Sequence, residues 1–333
     1  MRSGCLLFIA SAVAASPLVI KVRDEAGRPL SEAMIRVVTA PADDPRLSSV
    51  RELTSVTDER GDATVEIADR SSVIRLMANK GGRYPADVTD GLPSGPRPST
   101  FTLTLPTEQA GEALCFKEVL LTTEAGTLPP RRWVGFDLAA GEAVAPFGRG
   151  LTSDLSFWNE GKQTGWTESE AFVAKLRSDD DARLMSDDLF ARRFGRFQGE
   201  TKIETSQPGA GIVRTDAFWP YCLLKMPAEA PLAGYQRALS LSYDTEPYPR
   251  TSDDHTGFYL RVRPTLDADG QLLSAHYAKI HGRIATGHGW VRFRYYYNPR
   301  ANDRKLVFAP GRNLLRPTGA KGDDPAHYET TQP

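Results

Sequence analysis

Cysteine is scarce in this chain: three residues in 333, at positions 5, 115 and 222. None belongs to a Cys-x-x-Cys pair or stands at ligand spacing from a histidine, which argues against a structural zinc site. Charge of one sign is also lacking. Lys and Arg number 41 against 42 Asp and Glu, for a net charge of −1. That balance gives no whole-chain case for binding nucleic acid or a membrane surface. There is no Gly-x-Ser-x-Gly elbow, no His-Glu-x-x-His helix and no Walker A loop, so the familiar hydrolase, metalloprotease and nucleotide signatures are missing. No pattern calls for a cofactor, and none is expected. Asp267-Ala-Asp-Gly270 hints at a calcium loop, but the twelfth position of that motif would be Ala278. A hairpin turn is the better reading of those residues.

What is present begins with an export signal. Met1-Arg2 is a short positive start, Leu6–Ala15 is apolar, and Ala12-Val13-Ala14 fits a small-x-small cleavage site ahead of Ser16-Pro17. The run is roughly ten residues, against about 20 needed to span a bilayer. The sequence therefore predicts a signal peptide over 1–14, a secreted or periplasmic protein, and no transmembrane segment after cleavage. Cleavage would leave Cys115 and Cys222. In an oxidising compartment they could form one disulfide, closing a loop of roughly 107 residues. Two buried free thiols are the alternative.

Hydrophobic residues are 40% of the chain, and glycine and proline are frequent (28 and 24). The length suits two domains. Strand-like runs recur between turns at Leu18–Arg23, Ala33–Thr39, Leu53–Thr57, Ala63–Ile67, Val73–Ala78 and Thr100–Leu105. Turns are expected at Glu25–Pro29 and Asp58–Asp62. Residues 17–106 thus read as a small β-sandwich, and 107–114 as a linker. Asp24-Glu-Ala-Gly-Arg-Pro-Leu30, Ala33-Met-Ile-Arg-Val37 and Thr57-Asp-Glu-Arg-Gly61 resemble the carboxypeptidase regulatory-like domain. That family pairs a Gly-x-Pro-Leu turn with a later Thr-Asp-x-x-Gly turn. Its usual Gly-Ala pair is replaced here by Ser31-Glu32-Ala33. The resemblance covers about a quarter of the chain. It implies a secreted, transthyretin-like sandwich acting as a spacer, adhesion or packing module, with no catalytic residues of its own; an unrelated Ig-like sandwich is the alternative.

Residues 115–316 read as a larger, mostly β domain, and 317–333 as a polar, disordered tail. Strands are expected at Phe116–Thr123, Trp133–Leu138, Ala143–Pro146 and Leu155–Trp158, with a hairpin turn at Ala139–Glu142. Thr167-Glu-Ser-Glu170 has capping-box form, and Ala182–Phe194 is a second helical stretch. Together they predict a short helical insertion at 167–194. The fold class is therefore mainly β, an N-terminal sandwich followed by a larger antiparallel β domain with that insertion. The clearest pattern is Gly257–Tyr297, a three-stranded meander. Phe258, Leu260, Val262, then His276, Ala278, Ile280, then Val291, Phe293, Tyr295 and Tyr297 share one apolar face. His276 is expected as a hydrogen-bonded core histidine.

The other face of the meander gathers Arg261, Arg263, Lys279, Arg283, Arg292 and Arg294, interleaved with Tyr259, Tyr277, His281, Trp290 and Tyr296. Cations beside aromatic rings suit carboxylate, sulfate or phosphate groups and sugar faces. Three readings remain open. The face is simply solvated; or the acidic segment Glu168–Asp188 lies across it; or it binds an anionic polysaccharide or another envelope component. A like-charged setting would also hinder protonation of His281. The expected function is an exported, non-catalytic binding or structural module of the cell envelope. The alternative is a secreted hydrolase of polysaccharide or peptide with its active site in residues 115–316.

Overall fold

The computed structural model describes residues 15–41, 49–68, 71–88, 99–122, 128–164, 196–219, 221–244, 256–282, 284–287, 289–309 and 311–315. The expected signal peptide, helical insertion and C-terminal tail lie outside these residues. Among the described residues every regular element is a strand. The chain divides into two compact units: residues 1–108 with 221–224, and 109–220 with 225–333.

In the first unit, β1 (Ala15–Arg23) pairs antiparallel with β4 (Asp62–Ala68) and parallel with β7 (Thr100–Thr104). A second sheet runs in the order β3 (Arg51–Val56), β2 (Met34–Pro41), β5 (Ser71–Asn79), β6 (Ala86–Val88). Period-two alternation places Leu18, Ile20 and Val22 of β1 inward with Val65 and Ile67 of β4. Ile35, Val37, Leu76 and Ala78 from the other sheet complete the same core. The tetrapeptide 221–224 joins this unit: Asp87 N donates to Tyr221 O at 2.7 Å, and Leu223 N to Pro85 O at 3.1 Å.

The tight turns share one local chemistry. In Asp24–Arg28, Asp58–Asp62 and Asp267–Gln271, the aspartate Oδ1 accepts the backbone N–H groups two and four residues later. The glycine at the fourth position has φ of 77°, 68° and 77° respectively, a region glycine enters without a Cβ clash. The Asp267 loop is thus a self-satisfied hairpin turn.

The second unit has two sheets. One orders β10 (Glu142–Ala143), β9 (Trp133–Asp137), β11 (Leu155–Thr164), β12 (Arg196–Glu204) and β14 (Ala238–Asp244). The other orders β13 (Gly211–Thr215), β15 (Gly257–Leu266), β16 (Leu272–Ile280), β18 (Trp290–Asn298) and β17 (Ala285–Gly287), with β8 (Cys115–Leu121) also paired to β18. Both sheets are antiparallel throughout. Their inward faces share one core. Val134, Phe136, Phe157 and Ile203 come from the first sheet, and Phe258, Leu260, Ile280, Phe293 and Tyr295 from the second. Phe293 packs edge-on to Phe136 at 5.4 Å and stacked on Phe157 at 5.3 Å, geometries that aromatic quadrupoles favour.

Candidate functional site

The meander forms as its alternation predicts, and its apolar face enters the core. The opposite face is not one open basic surface. Irregular chain from 225 to 231 and from 304 to 308 packs against part of it, joined by Ala230 N to Arg304 O at 3.0 Å and Leu306 N to Ala228 O at 2.7 Å. Met226, Ala230 and Leu306 bury Tyr259 and Tyr277 in a second apolar cluster. The Tyr259 hydroxyl donates to Pro227 O at 2.7 Å. Tyr296 is buried with Leu114, Phe116 and Phe308. These covering segments have no strand or helix period, so the alternation of the meander gave no sign of them.

The expected site residues therefore divide. Arg261 donates to Gly209 O at 2.8 Å and stacks over the Tyr235 ring at 4.6 Å. Lys279 is 2% exposed, with its ammonium 5.0 Å from the Tyr296 ring centre. Burial alone pulls its pKa down to about 7. His281 is half-buried between Phe218 and Tyr296. Burial first, then the charges of Lys279, Arg294 and Lys225, hold it well below the ordinary imidazole range. Arg292 and Arg294 both donate to Glu118 of β8, the register partner of Arg294. Burial works to raise the Glu118 pKa, but the two guanidinium groups outweigh it and the net shift is downward. Trp290 is half-buried, its ring against Gly287. Arg283 and the acidic segment 168–188 lie outside the described residues.

Arg263 leaves the face altogether. A register shift follows Val262, and Arg263 adopts a positive φ of 49°, so the strict alternation breaks there. Its guanidinium turns to two buried carboxylates: Nε to Asp154 Oδ1 at 2.8 Å, and Nη2 to Asp154 Oδ2 at 2.8 Å and Asp137 Oδ1 at 2.7 Å. Asp137 also accepts four backbone N–H groups, from Ala139, Ala140, Leu151 and Thr152. Burial pushes the Asp137 pKa up, but these bonds and Arg263 bring the net shift below the usual range. For Asp154 burial prevails over Arg263, and its pKa is raised. This knot ties β9, β15 and the chain before β11 together.

Of the two readings of the cysteines, the structure shows the unbridged one, and His276 departs from its expected hydrogen bonding. No disulfide joins Cys115 and Cys222, and both are buried. Cys115 belongs to the core of the second unit and Cys222 to the first. Burial pushes the Cys115 thiol up to about 11, which disfavours the thiolate. His276 stacks on Tyr297 at 5.9 Å, but its Nδ1 is buried without a hydrogen-bond partner.

Sequence reading passed over the outer face of the five-stranded sheet. Trp133 and Trp158 are direct register partners there. Lys202 sits over the Trp158 ring at 4.7 Å. One row further along the same face, Glu160 and Glu200 are register partners on β11 and β12. Beside them is a groove of about 750 Å³, lined by Pro130, Arg131, Glu160, Gly161, Gln198, Gly199 and Glu200. The two tryptophans stand 25 positions apart in sequence, so only the strand pairing brings them together. Among the described residues no group of three or more His, Cys, Asp or Glu side chains could hold a metal ion.

No family model matches the chain, and no curated protein matches it. Solved structures do. A shaft pilin SpaA mutant from Lactobacillus rhamnosus GG is 8% identical over 89% of this chain and 95% of that one, with a TM-score of 0.21. The major pilin SpaD of Corynebacterium diphtheriae is 9% identical over 76% and 87%, with a TM-score of 0.19. A membrane-associated protein of unknown function from Bacteroides fragilis is 11% identical over 85% and 96%, with a TM-score of 0.18. Similarity at this level carries no argument about fold or function.

Proposed function

We propose that this protein is an exported, non-catalytic binding or structural module of the cell envelope. Its first unit is a transthyretin-like sandwich of the carboxypeptidase regulatory-like kind. The observation that carries this reading is how the two turns that bear the resemblance interlock. Val22 N donates to Gly61 O at 2.7 Å, and Leu30 N to Val22 O at 3.0 Å. Buried Thr57 Oγ1 accepts from Ala33 N at 2.8 Å and donates to Leu30 O at 2.7 Å. A Cβ at Gly61 would meet Val22 O at 2.6 Å and Leu30 N at 2.7 Å, both backbone atoms. The motif residues thus serve packing, as a module without its own chemistry requires.

Among the described cations of this face, Arg292 and Arg294 reach the surface, and both are already paired with Glu118, which offsets part of their charge. That pairing weakens the case for an anionic ligand at this face. The test of the module reading is expression in a secretion-competent host, with fractionation and mass determination of the mature chain. The expected product is exported and begins at Ala15. A full-length product retained in the cytoplasm overturns the reading. One observation favours the hydrolase alternative: the Glu160–Glu200 pair beside the groove. Each is engaged, Glu160 by Arg131 and Glu200 by Ser240 and Lys202, which suits holding a ligand better than moving protons.

A further inference from the structure

We infer that the outer face of the five-stranded sheet is a binding site for a neutral glycan chain. This deepens the module reading, on which it rests, by naming a surface and a ligand class.

The argument begins with exposure. Trp133 is 42% exposed, and its cross-strand partner Trp158 is half-buried. Side chains directly opposite on antiparallel strands stand about 4.5–5.5 Å apart at Cβ, so the two indoles are neighbours on one face; the Lys202 ammonium lies over the Trp158 ring, which leaves Trp133 as the open aromatic surface. An exposed indole rimmed by polar groups gives a ligand one apolar contact bordered by hydrogen-bonding partners. The polarised C–H groups on the flat side of a pyranose ring suit the negative π face of an indole.

The next row supplies hydroxyl partners. Residues two apart on a strand share a face and stand about 7 Å apart, so Glu160 and Glu200 lie one row from Trp158 and Lys202; Arg131, in the turn before β9, joins that row through its bond to Glu160. Glu160 offers carboxylate acceptors, Arg131 offers guanidinium donors, and exposed Gln198 in the groove offers both. Arg131 is held with φ of 58° while its N donates to Asn159 O at 3.1 Å. A bulky residue in that conformation stores strain, and such strain collects where a side chain must be aimed.

Charge selects among ligands. Arg131 is paired with Glu160, and Lys202 with Glu200. The four groups sum to zero, so the surface neither steers nor repels an anion. A neutral sugar chain can share those paired groups through its hydroxyls without desolvating a lone charge. This sets the face apart from the arginine-rich one that the sequence suggested.

The test uses the mature chain from Ala15, with binding read by tryptophan fluorescence and by affinity electrophoresis. The probes are hexamers of β-1,4-glucose, α-1,4-glucose and β-1,4-N-acetylglucosamine, with heparin as the anionic control. The expected result is saturable binding of at least one neutral hexamer. It should change less than twofold between 50 and 500 mM salt. Trp133→Ala should weaken it at least tenfold and Gln198→Ala severalfold, while Arg292→Glu/Arg294→Glu leaves it within twofold. Unchanged far-ultraviolet circular dichroism and an unchanged unfolding midpoint keep a folding failure of either variant apart from a loss of contact. The proposal is overturned if no neutral hexamer binds at 10 mM, if heparin alone binds, or if Trp133→Ala binds as wild type does. Export of the mature chain is read separately, so a negative result here leaves the module reading standing.

Discussion

Lys279 is the least comfortable residue in the second unit, and replacing it tests the packing around it. An ammonium inside an aromatic and aliphatic cluster loses its hydration. Its pKa is about 7 in the folded chain, against an ordinary value of 10.5. Below pH 7 both states carry the proton, and the full cost of burying it weighs on the folded state. Between pH 7 and 10.5 the unfolded chain holds more protons, so stability rises with pH. Integrated from pH 6 to pH 10, these values correspond to about 4 kcal/mol. Lys279→Met fills similar space and removes the titration. The variant should therefore exceed wild type by up to about 4 kcal/mol at pH 6 and nearly match it at pH 10. The assay is guanidinium unfolding at both pH values, followed by tryptophan fluorescence. All five tryptophans lie in the second unit's sequence, so the signal reports that unit. A variant that is less stable at pH 6, or whose advantage does not shrink at pH 10, would refute the reasoning.

Arg263→Ala should destabilise the second unit by about 3 kcal/mol, because it leaves the buried carboxylates of Asp137 and Asp154 with backbone N–H donors but no cation; the same unfolding assay measures it. Thr57→Val should cost the first unit about 2 kcal/mol, since Ala33 N and Leu30 O lose their partner. Circular dichroism at a wavelength free of tryptophan signal would follow that loss. The thiols of the mature chain should be silent to an aromatic disulfide reagent in the native state. Two should react per chain in denaturant, and none would if Cys115 and Cys222 were bridged. Glu118→Gln should lower stability by about 1 kcal/mol at pH 7. Its carboxyl is held below the usual range in the folded state, so that difference should be lost in acid as pH falls through the folded pKa.

The parts of the fold that were legible in the sequence are those set by local chemistry. The Asp-x-x-Gly turns close through bonds that span four residues, so five letters suffice to read them. The inward face of the meander follows from alternation, and Phe258, Leu260, Ile280 and Phe293 sit where it puts them. The bulge at Arg263 was not legible, because Arg-Val-Arg continues the alternation through the break. Strand β12 was missed because Gly199, Glu200, Thr201 and Lys202 carry little apolar signal. Burial of Tyr259 and Tyr277 depends on Met226 and Leu306, which lie in chain of no period. Glu118 is 174 residues before Arg292, a distance only strand pairing closes. The tryptophan pair has the same origin: each indole reads alone as a strand residue, and register makes them neighbours.

Hydroxyl-radical footprinting of the mature chain, read residue by residue by mass spectrometry, asks directly which face of the second unit meets solvent. Trp133 should be oxidised rapidly, while Tyr259, Tyr277 and Tyr296 should be protected at least tenfold relative to their intrinsic reactivity. Rapid oxidation of those three tyrosines with protection of Trp133 would contradict the assignment. The arginine-rich face of the meander would then be restored as the open surface.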